Sequence, residues 1–320
     1  MMTNALWFLA GLAALVVGAE VMVRGGSQLA ARLGVSPIVI GLTFVSIGTS
    51  MPELAIGVVS AAEGSGALAV GNIAGTNIVN ILLILGLSAV LVPLALQMRT
   101  IRFELPFMAL AALLMWLLSV DGVLSRTDGA ILVACAVVYT AGVLWTARRE
   151  SRQIAAEFAD EFSAPEPSRT WLHVVMTVGG IAVVVIGAEW LVDGAVGLAR
   201  GFGVGDALIG LTVVAIGTSA PELVTTVVST IRGDRDIAIG NLIGSSIYNI
   251  VLILGVTCLV PANGLALPDS LVRVDIPIMV AVAALCIPIF LSGRRVSRAE
   301  GTFMVGAYLS YLVFVLTTQS

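Results

Sequence analysis

The sequence contains no lysine, a single histidine and three cysteines, and only 11% of its 320 residues are charged. Soluble domains carry about 25% charged residues, so the composition lacks a solvated surface. Hydrophobic residues make up 58% of the chain and the mean hydropathy is +1.06. No core in water absorbs that much apolar surface; lipid is the solvent these values require. The formal net charge of −4 does not suggest nucleic-acid binding. Cys135, Cys258 and Cys286 sit in apolar runs without a CxxC pair and read as small buried side chains. His173 stands alone before an apolar run, short of the convergent ligands of a metal centre. No nucleophile–base pair or metal-hydrolase motif appears, which argues against an enzyme, and no resident cofactor is expected.

What is present is a series of apolar runs long enough to cross a bilayer, which takes about 17–25 residues. Ten spans are expected, near 5–24, 37–61, 67–92, 103–119, 128–147, 172–193, 206–231, 237–260, 274–291 and 300–317. No basic residue precedes the first run, and no convincing cleavage site ends it, so it reads as part of the fold rather than as a signal peptide. The longest break, 148–170, is charged and carries Pro165 and Pro167, as a surface linker does; Ile154, Phe158 and Phe162 recur every four residues there, leaving a short interfacial helix open. With the N-terminus outside, thirteen arginines fall on the inner side and three, Arg126, Arg200 and Arg273, on the outer side. The positive-inside rule then places both termini outside the cytoplasm and the linker within it, in an inner (cytoplasmic) membrane.

The chain repeats itself. Residues 17–54 and 186–223 align at an offset of 169, which carries Glu20 to Glu189, Gly41 to Gly210, Thr49 to Thr218 and Glu53 to Glu222. The same offset aligns VGNIAGTNIVNILLILG (70–86) with IGNLIGSSIYNIVLILG (239–255). It drifts to 171 further on, pairing Arg102, Glu104 and Pro106 with Arg273, Asp275 and Pro277. The expected organisation is all-α and polytopic: a first five-helix repeat at 1–147, a cytoplasmic linker at 148–170 and a second repeat at 171–320. Five spans per half is an odd number, so the second half enters the membrane inverted. Inverted repeats with discontinuous helices at the midplane are typical of secondary transporters.

The most informative motif is GTSMPEL (48–54) with its copy GTSAPEL (217–223), both inside apolar spans. Pro52 and Pro221 have no N–H, so the carbonyls of Gly48 and Gly217 lose their helical partners. Each span is expected to break into two half-helices, with free carbonyls lining a cavity or buried in protein. Glu53 and Glu222 follow at the positive end of the second half-helix. A carboxylate in the bilayer costs at least about 2.5–3.5 kcal/mol, and two at matched positions point to a site rather than to accident. Thr49, Ser50, Thr218 and Ser219 add hydroxyls beside them. The next span of each half adds Asn72, Thr76, Asn77 and Asn80, then Asn241, Ser245, Ser246 and Asn249. Thr76 and Asn80 are four apart on one helix face, as are Ser245 and Asn249. Thr76 and Ser245 also suit helix packing by small hydroxyl residues. This donor set is oxygen alone, with two formal negative charges, and suits hard cations: Ca²⁺, Mg²⁺, Mn²⁺ or Na⁺. Ca²⁺, with 6–8 oxygens at irregular angles, fits a dry protein site better than Mg²⁺. Gly71, Gly75, Gly240 and Gly244 read as close-approach positions, Glu20 as a structural partner of Arg24, and Glu104 and Asp275 as interfacial ion pairs or dipole partners.

These paired GTS-x-PEL motifs and GN-x-x-G-[ST] segments resemble the α-repeats of the calcium/cation antiporter superfamily, and most of all those of compact prokaryotic sodium/calcium exchangers. The resemblance covers the whole chain and is specific in the two repeats. It implies Ca²⁺ held by Glu53, Glu222 and oxygens of Thr49 and Thr218. It implies Na⁺ sites at Glu53, Glu222, Ser50, Ser219, Thr76, Ser245 and the backbone carbonyls of Ser46 and Ala215, with Asn80 and Asn249 completing the cluster. The first and sixth spans are similar to the long helices that slide across the core in family members. Many exchangers carry aspartate where this chain has Asn249, which bears on stoichiometry and potassium dependence. The linker is too short for a calcium-sensing domain.

The implied activity is Na⁺/Ca²⁺ antiport, with Ca²⁺ and Na⁺ as transported ions, the lipid bilayer as surroundings and no obligatory protein partner. Ca²⁺/H⁺ or other divalent-cation antiport keeps the same acids, and a cation channel could use them as a selectivity filter. The hydroxyls favour Na⁺, since protons need no such shell. The orientation has a direct test: single cysteines introduced between positions 155 and 165 are expected to resist impermeant maleimides applied outside intact cells and to react in inverted vesicles.

Overall fold

The computed structural model describes residues 2–33, 35–95, 100–161, 170–202, 215–291 and 293–318. In chain order the helices are α1 (Met2–Leu33), α2 (Pro37–Thr49), α3 (Met51–Ala62), α4 (Gly66–Leu91), α5 (Thr100–Ser119), α6 (Arg126–Glu161), α7 (Thr170–Gly201), α8 (Ala215–Thr218), α9 (Ala220–Arg232), α10 (Arg235–Leu259), α11 (Leu271–Leu291) and α12 (Arg298–Thr318). Among the described residues, seven helices are long and apolar enough to cross a membrane, and α2 with α3 makes an eighth, bent by 42°. The span expected at 206–231 falls partly on 203–214, outside the described residues; α8 and α9 are its described part. Helix α12 covers the span expected at 300–317.

Two helices run well past their expected ends. The apolar runs at 5–24 and 172–193 become α1 and α7, of 32 residues each. Hydropathy falls at Glu20 and Arg24 but the helix does not, because Arg24 Nε meets Glu20 Oε1 at 2.7 Å across one turn, and Arg232 from α9 joins the same carboxylate. Helix α6 likewise continues to Glu161, so the segment expected as a linker begins helical; its remainder, 162–169, lies outside the described residues, as do Arg99 and Arg169.

Helices α1 and α7 pack antiparallel through glycines spaced seven apart, Gly11, Gly18 and Gly25 against Gly180, Gly187 and Gly194. A Cβ at Gly18 would lie 2.9 Å from Val184 N, and one at Gly187 2.8 Å from Leu15 N, so the backbones touch directly. The main apolar core, built from Ile78, Leu105, Met115, Ile247 and Phe290 among others, contains no residue of α1 or α7. The two-helix unit joins the rest through two smaller clusters, one around Met22, Ile40 and Ile237 and one around Leu15, Val184 and Ala220.

The halves clasp each other at their loops. Strand β1 (Leu94–Ala95) pairs antiparallel with β4 (Arg295–Val296), and β2 (Val123–Leu124) with β3 (Leu265–Ala266). Arg126 donates to the carbonyls of Val260 and Pro261 at 3.0 Å, and Arg298 to that of Leu91 at 3.4 Å. Ser125 and Asp128 cap α6 with bonds of 2.8 and 2.6 Å, as Ser297 and Glu300 cap α12. Each contact has a counterpart with the halves exchanged. Glu104, expected at the interface, is instead fully buried and accepts the Tyr139 hydroxyl at 2.7 Å; Asp275 accepts from Tyr311 at 3.4 Å. Each acid stands two residues before a proline, Pro106 or Pro277, and bonds to a tyrosine on the next helix of its own half.

Close approach is tightest where α2 crosses α10. A Cβ at Gly41 would lie 2.9 Å from Ile237 O, and one at Gly240 2.8 Å from Ile38 O. The close-approach reading therefore holds for Gly240, and for Gly244, whose Cβ would sit 2.9 Å from Leu42 Cα. Among the described residues Gly71 and Gly75 show no such contact: a Cβ at Gly71 would lie 3.9 Å from Leu271 Cδ1, and one at Gly75 meets nothing within 4 Å. Overpacking of this kind costs about 1–3 kcal/mol, so Gly240→Val is expected to lower the melting temperature in detergent, while Gly306→Ala, whose Cβ meets nothing within 4 Å, is expected to leave it unchanged.

Candidate ion-binding site

The two proline motifs fold alike. Helix α2 ends at Thr49, Ser50 takes φ −85° and ψ 11°, and α3 begins at Met51 with Pro52 in its first turn. In the second half Ser219 takes φ −87° and ψ 6° between α8 and α9, with Pro221 in the first turn. The break is sharper than a stretch of unwound chain: it is confined to one residue, and Ser50 N still reaches Ser46 O at 3.1 Å. Glu53 and Glu222 occupy the first turns of α3 and α9, both at 0% exposure.

A second irregularity lies on the partner helices. Within α4 the segment Val79–Leu85 widens to a π-helix, and within α10 so does Asn249–Leu254. Asn80 and Asn249 thus stand at the start of wide turns, which occur frequently at functional sites. The turn carrying Asn80 packs on α9, the helix of Glu222, and the turn carrying Asn249 packs on α3, the helix of Glu53. The site is therefore assembled across the halves.

Hydrogen bonds link five of the expected residues: Ser50 with Glu222, and Ser46, Thr49 and Ser245 with one another. Ser50 Oγ donates to Glu222 Oε1 at 3.2 Å. The hydroxyls of Thr49, Ser50 and Ser245 all neighbour the Glu222 carboxylate, and Glu53 and Glu222 are near enough to repel one another. Thr49 Oγ1 lies 3.4 Å from Ser245 Oγ and donates to Asn241 Oδ1 at 3.1 Å. Ser46 contributes more than a carbonyl: its hydroxyl faces the carbonyls of Gly41, Gly240 and Asn241 at 2.6, 3.2 and 3.0 Å, and its own carbonyl faces Ser245 Oγ at 3.4 Å. Thr76, Thr218 and Ser219 are buried, the last two at the helix break between α8 and α9. Ala215 opens α8. Asn77 turns back to its own helix, donating to Ile73 O at 2.9 Å.

The telling feature is what is buried without a partner. Both carboxylate oxygens of Glu53, Oε2 of Glu222, Oγ of Ser219 and both side-chain polar atoms of Asn80 and Asn249 have no hydrogen bond among the described residues. Buried polar groups are normally satisfied, and each exception needs an explanation. Buried, dehydrated carboxylate and amide oxygens are of the type that suits the coordination shell of a hard cation. No cluster of three or more His, Cys, Asp or Glu occurs among the described residues.

The profile of the family described as "Sodium/calcium exchanger protein" matches residues 3–145 and 172–317. The chain belongs to that family. It is 36% identical over 315 residues to a protein named putative antiporter CaxA from Alkalimonas amylolytica, covering 97% of this chain and 98% of that one. It is 30% identical over 347 residues to the sodium/calcium exchanger MaX1 of Methanosarcina acetivorans, covering 97% of each. Among solved structures it is similar to the sodium-calcium exchanger NCX_Mj soaked with Na⁺ and Ca²⁺, at a TM-score of 0.82 and 27% identity over 100% of this chain and 99% of that one. The chain is thus a member of an antiporter family, within a membrane.

Of the residues bonded to this cluster, Asn241 carries a bond that sequence reasoning did not assign to it. The repeat set it level with Asn72, and nothing in either motif separated them; packing does, since Asn241 is fully buried and Asn72 only partly. Buried like charges with no counter-charge are costly. Glu222→Gln is accordingly expected to raise the melting temperature of the ion-free protein by a few degrees and to abolish further stabilisation by added Ca²⁺.

Proposed function

We propose that this chain is a secondary active antiporter exchanging Na⁺ for Ca²⁺, with the sodium gradient driving calcium out of the cytoplasm. The observation that carries the reading is the set of buried, unpartnered oxygens on Glu53, Glu222, Asn80 and Asn249, ringed by hydroxyls. Relatives named as sodium/calcium exchangers support the ion pair. In this reading Ca²⁺ binds Glu53, Glu222 and oxygens of Thr49 and Thr218. Sodium ions use Ser50, Ser219, Thr76, Ser245, the carbonyls of Ser46 and Ala215 and the same two acids. Competition for the glutamates couples the ions, because either cation neutralises the same buried charge.

The architecture proposed with it is ten spans in two inverted five-helix repeats, with both termini extracytoplasmic in the inner membrane. Three observations support it. Helices α1 and α7, which the repeat makes equivalent, run antiparallel. Strand β1 pairs with β4 and β2 with β3, and each pair joins loops that fall on one side under this topology. The arginines divide thirteen to three across the same two sides. Alternating access then follows from movement of the α1–α7 unit, which shares no residue with the main core.

Radiolabelled Ca²⁺ uptake into sodium-loaded vesicles tests the exchange. Uptake should rise with internal Na⁺, saturate with external Ca²⁺ and vanish in Glu53→Gln and in Glu222→Gln, both of which should purify folded. Uptake indifferent to internal Na⁺ but abolished by collapsing a pH gradient would replace Na⁺ by H⁺ as the counter-ion, and normal exchange by either glutamine variant would refute the site.

A further inference from the structure

Thr226 lies on α9 one turn beyond Glu222 and belongs to neither motif. Its Oγ1 accepts Nδ2 of Asn241 at 3.2 Å, and Asn241 Oδ1 accepts the Thr49 hydroxyl at 3.1 Å. All three side chains are at 0% exposure. The chain of bonds joins three elements, α9, α10 and the end of α2. A threonine hydroxyl has one proton to give. The other partners of the Thr49 hydroxyl, Ser46 O and Ser245 Oγ, are farther, each at 3.4 Å.

We propose that Thr226 and Asn241 form a positioning relay that commits the Thr49 proton away from Glu222 and turns the Thr49 lone pairs toward the transported cation. The inference deepens the proposed function and rests on it. Thr49 precedes Ser50, whose hydroxyl donates to Glu222 Oε1 at 3.2 Å. Were the Thr49 proton given to Glu222, the hydroxyl would satisfy the acid by itself and compete with the ion. With that proton held by Asn241, hydroxyl oxygen and carboxylate present lone pairs to the same space, and a cation is what relieves them. Thr226 completes the device by occupying the Asn241 N–H, which would otherwise be buried unpaired at a cost.

The relay exists in one half. The offset of 169 carries Thr49 to Thr218, Asn241 to Asn72 and Thr226 to Gly57. Position 57 has no hydroxyl and no room for one, since a Cβ there would lie 2.6 Å from Thr257 Oγ1. Asn72 Nδ2 has no hydrogen-bond partner among the described residues. Two threonines that the motif makes identical are thus set apart by what stands behind them.

Thermal unfolding of the purified protein, titrated with Ca²⁺ and separately with Na⁺, tests the relay. Thr226→Val keeps the shape without the hydroxyl. It is expected to raise the cation concentration for half-maximal stabilisation about five- to tenfold, the ratio one ordinary hydrogen bond sustains. Thr226→Ser should restore the parent midpoint. Thr226→Ala carries the same expectation as valine if the valine variant does not fold. A merely structural role would lower the ion-free melting temperature and leave the midpoint where it was; that result, or a serine variant as shifted as valine, overturns the relay. A parent protein that neither cation stabilises overturns the proposed function instead.

Discussion

Two carboxylates held close together in a medium that solvates charge poorly cannot both stay ionised without a cation between them. Glu53 and Glu222 are in that position, each fully buried at the first turn of a helix that begins with a break. The rest of the molecule follows from holding them there. The prolines end the incoming helices, so the acids meet the positive ends of two helix dipoles. The hydroxyls of Thr49, Ser50 and Ser245 gather on Glu222, and the wide turns at Asn80 and Asn249 each pack on the helix carrying an acid from the other half.

Such a site demands rigidity in one place and freedom in another. Rigidity comes from backbone contact at the α2–α10 crossing, where Gly41 and Gly240 leave no space for a Cβ, and from the Ser46 hydroxyl set among three carbonyls. In the proposed exchange, freedom falls to α1 and α7. They meet each other through glycines and stand outside the main core; two small apolar clusters, the Glu20–Arg232 pair and a hydrogen bond from Ser27 to Asp234 are among their contacts with the remainder. Apolar helix faces impose little register on one another, whereas an ion pair does.

Much of this was legible in the chain. Lipid as solvent, the repeat, the helix breaks and the two acids all rest on local chemistry: a missing N–H, a glycine, a charge inside an apolar run. The lengths of α1 and α7 were not legible, because hydropathy ends at Glu20 while helical bonding does not. Glu104 looked interfacial beside Arg102, yet Tyr139, thirty-five residues on, receives it in the core. The π-turns left no periodic mark, since one extra residue per turn cannot be told from the drift of an apolar pattern.

The sequence by itself determined which oxygens could bind a hard cation, because matched positions in two repeats name them whatever the packing. Tertiary structure decided which of those oxygens are held and by what. Asn241 and Asn72 are the same residue in the same motif, but only Asn241 finds Thr226 behind it and Thr49 before it. That difference depends on residues far apart in the chain meeting across α2, α9 and α10, and a hydrogen bond has no existence until both partners are in place.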